Sequence, residues 1–294
     1  METVSCNLCG GNDTKQVYHI EGFNIVKCKK CGLLYVNPRP DMTSLKILYN
    51  NEYFHNNEKR FSEKYLGYTN YLLNRTNIEK TFAKRLDIIE RYTKTGKILD
   101  VGCALGFCLS VASKRGWDVR GIDLSGFAVD FARKEFGDRV MNKTLFASSF
   151  PENYFDAVTY WDVLEHVPDP KAELKEARRI MKRGGIIGIV VPDAGSHIVK
   201  ILGKNWPEFR RIREHIYFFG KKTLTAMLNE LGFDILYTEG AGRIFNIPDL
   251  LAECEIYGRF IFGELSKLAE RSWLSKVNIY VKPGYKTAIY ARKR

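Results

Sequence analysis

Four cysteines and one short acidic and imidazole run carry much of the chemistry legible in this chain. Cys6 and Cys9 stand two residues apart, and eighteen residues later Cys28 and Cys31 repeat the spacing. Two residues between thiolates let one tight turn aim both sulfurs at a single ion. Gly10 and Gly32, directly behind the pairs, supply the permissive backbone such turns need. Two turns complete a tetrahedral sulfur site of the softness that suits zinc, and the competing reading is four unrelated thiols. Further along, Asp162, Glu165 and His166 fall in "YWDVLEH", and His215 falls in "RRIREHIYFF". Glu165, His166 and His215 are the groups able to take a proton from an oxygen nucleophile or stabilise its charge. The competing reading is that Glu165 and His166 only cap the helix after a strand.

The elements that must position these residues alternate. "KILDVG" reads as a buried strand and "GFCLSVASKRG" as a helix; "WDVRGIDL" and "SGFAVDFARKEFG" repeat the unit. "YFDAVTYWDVL" is an apolar strand running into a helix, "DPKAELKEARRIMKRGG" a helix closed by paired glycines, and "IIGIVVPD" a further strand. This alternation predicts a doubly wound, mostly parallel sheet that takes its ligand at the carboxyl ends of the strands. The first strand-to-helix loop lies at such an end. A dinucleotide fingerprint needs glycine at 102, 104 and 107, where this chain has Gly102, Ala104 and Phe107, with Gly106 between. Asp100 puts a carboxylate at the strand tip, which disfavours a pyrophosphate and favours a cation. Asp123, seventeen residues after Gly106, is placed to accept both hydroxyls of a ribose. Ribose plus positive charge, without pyrophosphate, describes S-adenosylmethionine.

Taken together, "ILDVGCALGFCLSVA", "VRGIDLS", "YFDAVTYWDVLEHVPDP", "RRIMKRGGIIGIVVPD" and "EHIYFFGKKTLTAMLNELGF" resemble the class I S-adenosylmethionine-dependent methyltransferases. The resemblance covers about 97–233, and "NIYVKPGYKTAIYARK" looks like that family's closing hairpin strands. It implies an α/β fold with a seven-stranded sheet. Asp100, Gly102 and Gly106 would hold the methionine part, with Asp162 near it; Asp123 would hold the ribose, and Leu124 would flank the adenine. Phe146 to Ser149 fall at the adenine loop but offer no acidic residue before Glu152. Asp162, Glu165, His166 and His215 resemble the divalent-metal site of small-RNA 2′-O-methyltransferases, and a related site in ubiquinone-pathway O-methyltransferases. Asp162 replaces the first glutamate of that pattern. A zinc ribbon ahead of such a domain resembles a bacterial subgroup of surface-glycan or natural-product pathways, and also ribosomal RNA methyltransferases with an N-terminal zinc module.

The expected organisation is a zinc ribbon over 1–40, with a hairpin turning at Glu21 and Gly22, then a helical linker or lid over 41–95. Within the linker, Ile78, Phe82, Leu86, Ile89 and Tyr92 recur at helical spacing. The aromatics Tyr49, Tyr53, Phe54, Tyr65, Tyr68 and Tyr71 are packing residues or a lid. The methyltransferase domain follows over 96–294. It carries a helical insertion near 241–273 whose periodicity Pro248 interrupts and whose apolar residues, Phe260 and Ile261 among them, pack, form a lid, pair copies or meet a membrane surface. Cys103, Cys108 and Cys254 read as buried thiols.

Composition sets outer bounds. The 294 residues are 45% hydrophobic and 27% charged, as in a globular protein of one or two domains. Seven cysteines in so long a chain do not make a secretory disulfide framework. No apolar run nears the roughly 20 residues that cross a bilayer. The first residues lack the basic-then-apolar pattern of a secretory signal, so a cytoplasmic protein is expected. The net charge is +12, with Lys and Arg scattered along the chain and local concentrations around Arg178 to Arg183, Arg210 to Arg213 and the tail, which favours anionic partners, RNA included, or is a solvated surface. The functional expectation is methyl transfer to an oxygen of a small molecule or glycan precursor. The rivals are an RNA methyltransferase held through the ribbon and basic surface, and a binding protein that kept the fold without the chemistry.

Overall fold

The computed structural model describes residues 1–41, 71, 72 and 74–294, so Tyr49, Tyr53, Phe54, Tyr65 and Tyr68 lie outside the described residues. The N-terminal segment forms β1 (Thr14–Ile20), β2 (Phe23–Cys28) and β3 (Leu34–Val36). β1 and β2 pair antiparallel through Glu21 and Gly22, both at positive φ (48° and 82°), as a two-residue turn of this hand requires. β3 pairs with β2 on one side and with β9 (Tyr217–Phe218) on the other.

The main sheet contains β4 (Lys97–Val101), β5 (Asp118–Ile122), β6 (Val140–Met141), β7 (Phe155–Trp161), β8 (Met181–Pro192), β10 (Phe233–Gly240) and β13 (Lys286–Lys293). Its order is β10-β13-β8-β7-β4-β5-β6, with β13 antiparallel to both neighbours and β8-β7-β4-β5-β6 all parallel. Strand residues alternate between two cores. Leu99, Val158, Tyr160, Ile187 and Ile289 pack with helices Pro170–Ile180 and Lys221–Glu230. Ile98, Ala157, Trp161, Ile186 and Tyr290 pack with helices Arg75–Glu90, Phe107–Lys114 and Gly126–Phe136. Helices on both faces make the doubly wound arrangement. Helix Arg75–Glu90 buries Ile78, Phe82, Leu86 and Ile89 in the second core, where Tyr71 stacks on Phe107 at 4.9 Å.

Four local expectations are corrected. The helix from Pro170 stops at Ile180 rather than at Gly184 and Gly185, because the buried Met181 turns extended and pairs with Phe155. Pro248 starts a helix instead of interrupting one. It lies in the first turn of Ile247–Glu253, where its missing N–H costs nothing, and the Asn246 side chain caps by accepting from the Asp249 N–H at 2.7 Å. The insertion opens with a strand, β11 (Arg243–Asn246), and β12 (Asn278–Val281) pairs with it; only β13 of the final segment joins the main sheet. Cys103 and Cys108 are buried as expected, but Cys254 is half-buried. Phe260 (90% exposed) and Ile261 (68%) face outward from helix Glu255–Glu270. Among the described residues, no helix is long and apolar enough to cross a membrane.

Candidate active site

The loop Gly102–Gly106 leaves the carboxyl end of β4, and its backbone conformation explains its composition. Gly102 (φ 70°) and Gly106 (φ 80°) both occupy the left-handed region that glycine enters freely. A methyl group added at Gly102 would lie 2.5 Å from Val163 Cγ2, so the loop is pressed against the segment that follows β7. Ala104 is left-handed too (φ 47°), so the alanine at this position carries backbone strain as well as an extra methyl.

Two carboxylates serve this loop. Asp123, just past β5, accepts from the Ala104 N–H through Oδ2 and from the Ser125 N–H through Oδ1, both at 2.8 Å. Each carboxylate oxygen keeps a lone pair for a further donor such as a ribose hydroxyl. Asp100 is buried at the end of β4 and accepts from Thr159 Oγ1 at 2.6 Å. Burial pushes its carboxyl up to about 7, against the Thr159 hydrogen bond and with help from the Asp123 charge. A cation at this loop would recover the ionised form. Leu124, two residues past β5, stands exposed; Phe146, also exposed, lies in the 3-10 turn Phe146–Ser148 and lines a cavity with Glu152, Asn153, Arg178 and Lys293 rather than with Leu124.

A second group gathers beyond β7. Glu165, His166 and His215 place one ligand-type atom each within 4.8 Å of one another, and the two imidazole centroids are 4.5 Å apart, edge to face. The Ile216 N–H donates to the Glu165 carbonyl at 3.1 Å, tying the two stretches together. His166 Nδ1 lies 3.0 Å from the Glu214 carbonyl; a carbonyl only accepts, so Nδ1 carries the proton and Nε2 is the basic nitrogen. Burial, then Arg211, lowers His166 to about 3 and takes His215 well below its ordinary value. Burial and the neighbouring Asp162 charge push the Glu165 carboxyl well up. Among the described residues, neither Glu165 oxygen and neither His215 nitrogen has a hydrogen-bond partner. Glu208 Oε2 stands 3.4 Å behind His215 Nδ1.

Asp162, expected to be the fourth member of this group, is directed elsewhere. Its short side chain pairs with Lys286, whose Nζ donates to Oδ1 at 2.7 Å. Lys286, Glu208 and Thr159 are site residues that sequence reasoning missed. Lys286 opens the last strand, 124 residues from its partner, and no local motif marks it.

The four cysteine sulfurs lie within 4.8 Å of one another, with Cys6 to Cys31 at 3.4 Å and Cys9 to Cys28 at 3.5 Å. Sulfurs at about 2.3 Å from a tetrahedral ion stand roughly 3.8 Å apart, so the cluster has the span of such a site. Burial raises Cys6 and Cys31; against the same burial, the backbone N–H groups of Cys31 and Lys30 bring Cys28 down to about 7.

Arg178 and Arg179 of one basic run and Lys293 of the tail line a common cavity with Glu152 and Glu176, and members of each run pair with carboxylates. Arg179 pairs with Glu176 (2.7 Å), Lys182 with Asp156 (2.8 Å), Arg211 with Glu214, and Arg294 with Asp234 (2.7 Å).

A family model described as a methyltransferase domain matches residues 72–238. The ubiquinone biosynthesis O-methyltransferase of Chromobacterium violaceum is 28% identical over 186 residues, which cover 56% of this chain and 79% of that protein. The one from Idiomarina loihiensis is 36% identical over 112 residues, covering 35% of this chain and 46% of that protein, so the matched stretch spans under half of its length. Among solved structures, an S-adenosylmethionine-dependent methyltransferase from Thermotoga maritima superimposes with a TM-score of 0.50 at 16% identity, over 77% of this chain and 95% of that one. A Bacillus halodurans protein assigned as a methyltransferase gives 0.52 at 22%, over 72% and 98%. Those likenesses show the fold. The chain belongs to the S-adenosylmethionine-dependent methyltransferases, through the methyltransferase domain matched over 72–238.

Proposed function

We propose that the protein transfers the methyl group of S-adenosylmethionine to a hydroxyl oxygen of a small molecule, with Cys6, Cys9, Cys28 and Cys31 holding a structural zinc ion. The observation that carries this is the contact of Gly102 with Val163, which gives the cofactor loop and the Glu165–His166 stretch a common wall. The relatives named as O-methyltransferases support oxygen as the acceptor.

S-adenosylmethionine supplies an electrophilic methyl group on a cationic sulfur. Asp100 would face that charge, the open backbone at Gly102 and Gly106 would admit the methionine part, and Asp123 would take the ribose hydroxyls, with Leu124 beside the adenine. In-line displacement gains mainly from positioning. The acceptor hydroxyl lies against His166 Nε2, which receives its proton as the oxygen takes the methyl. An imidazole lowered to about 3 is a weak base for an unassisted alcohol, so a more acidic, phenol-like hydroxyl fits it better.

The unpartnered oxygens of Glu165 and nitrogens of His215 also fit a divalent cation, with His166 as third ligand. Such an ion would lower the pKa of a bound hydroxyl. Depressed imidazoles suit that role, because ligands bind deprotonated.

The test is titration calorimetry of zinc-loaded protein with S-adenosylmethionine, followed by S-adenosylhomocysteine release across a panel of catechols and phenols. Binding lost in Asp123→Ala, and product methylated on oxygen and reduced at least tenfold in His166→Ala, are the expected results. Methylation on nitrogen or carbon would overturn the acceptor assignment.

A further inference from the structure

The four-cysteine segment is built into the acceptor side of the site. Its last strand, β3, pairs antiparallel with β9, which begins two residues after His215. The Val36 N–H donates to the Ile216 carbonyl at 2.9 Å, and the Ile216 N–H donates onward to Glu165. Arg39 ends the segment and is 7% exposed. Its Nη1 donates to the Pro168 carbonyl at 2.6 Å and to Tyr217 Oη at 2.9 Å, while Nε holds Glu2 at 2.8 Å. Pro168 follows His166 by two residues and Tyr217 follows His215 by two, so one guanidinium ties both histidine stretches to the N-terminal strands. Between the first two cysteines, Asn7 Nδ2 donates to Asp169 Oδ1 at 2.8 Å. Beneath these bonds Cys6, Cys28 and Tyr35 share a core with Leu164, Ile216 and Tyr217.

The cofactor loop is held differently, from inside the sheet. The N–H groups of Gly102 and Cys103 donate to the Ile122 carbonyl, and that of Ala104 donates to Asp123. The histidine stretches need an outside hold because neither histidine lies in a strand: His166 ends the short 3-10 turn Leu164–His166, and His215 lies in the loop between the 3-10 turn Pro207–Arg211 and β9. Displacement of a reacting group by about 1 Å costs on the order of 100-fold in rate.

We propose that Arg39 is a positioning residue for His166 and His215, and that the N-terminal cysteine segment serves as the clamp of the acceptor side, leaving S-adenosylmethionine binding to the sheet. This rests on the assignment of those histidines to the acceptor side. A guanidinium suits the task because its fixed planar fork holds several carbonyl and hydroxyl oxygens at set angles.

The experiment uses the full zinc-loaded chain and its Arg39→Ala and Tyr217→Phe variants. Three quantities are read: zinc per chain, the dissociation constant for S-adenosylmethionine, and the imidazole nitrogen shifts of His166 and His215 at fixed pH. Expected for Arg39→Ala are zinc retained, cofactor affinity within twofold of wild type and both imidazole signals displaced, with partial return on adding methylguanidinium. Turnover of a catechol should fall about 100-fold. Tyr217→Phe should shift the same signals by less, and decides the matter should Arg39→Ala not fold. Unmoved imidazole signals in a folded variant, or cofactor affinity lost in step with them, would overturn the proposal. A wild type that methylates no catechol bears on the acceptor assignment alone, since the affinity and imidazole readouts need no acceptor.

Discussion

Lys286 Nζ donates to Asp162 Oδ1 at 2.7 Å, joining the first residue of the last strand to the residue just past β7. Burial would raise the Asp162 carboxyl, but the Lys286 ammonium and the more distant Arg85 hold it below its ordinary value. Asp162 is itself left-handed (φ 59°), and its N–H donates to the Val190 carbonyl at 2.9 Å. The pair thus fixes the turn from which Glu165 and His166 hang.

Replacing Lys286 with Met leaves that carboxylate without its cation. A loss of roughly 1–3 kcal/mol is expected, with Asp162→Asn in the same chain recovering part of it. Urea midpoints of the two single variants and the double variant give the coupling directly; simple additivity would show that the pair contributes nothing of its own.

Asp100 predicts two pH effects of opposite sign. Its folded carboxyl, raised to about 7, binds more protons than the unfolded chain between about pH 4 and 7, so its contribution to stability falls as pH rises through that window. Asp100→Asn should therefore stabilise the ligand-free protein at pH 8, by up to about 4 kcal/mol. Affinity for S-adenosylmethionine in wild type should instead tighten from pH 6 to 8 and level off, since the cation prefers the ionised carboxylate. Thermal melts and calorimetry at four pH values check both; a flat affinity profile would remove Asp100 from the cofactor's charge.

Gly102→Ala is the sharpest test of the cofactor loop. The added methyl would meet the stiff Val163 side chain at 2.5 Å and force a left-handed alanine. Cofactor affinity should drop at least tenfold. The smaller strain already present at Ala104 predicts that Ala104→Gly binds as well as wild type or better. Equal affinity in Gly102→Ala and wild type would show that the loop does not carry the ligand.

Metal analysis of the purified chain should return one zinc ion, lost in Cys9→Ser. The 1–41 segment has little core of its own, and zinc supplies on the order of 10 kcal/mol to small sulfur-ligated folds. Chelation should therefore expose protease sites in that segment before the main sheet unfolds. Absence of zinc from protein grown with ample metal would leave the cysteines as thiols.

The repeating units, the glycine loop and the placement of Asp100 and Asp123 at their strand ends were legible because each depends on residues near it in the chain. Gly102 and Gly106 answer to local φ, Asp100 and Asp123 to the ends of their own strands, and the paired cysteines to a two-residue turn. Where tertiary pairing competed with local signal, it won. The buried Met181 paired with Phe155 and ended a helix that the glycines alone would have carried further.

Only the folded chain decided which residues meet Glu165, His166 and His215. Spacing groups Asp162 with Glu165 and His166, yet Lys286, 124 residues on, claims Asp162 and leaves Glu165 with the two histidines. Arg39 reaches Pro168 and Tyr217 across 129 and 178 residues. Such contacts follow from β13 inserting between β8 and β10 and from β3 pairing with β9, and no periodicity records them. Sequence determines which groups a chain can offer within a turn or two; sheet order decides which of them share a desolvated space, and there their charges and protons are set.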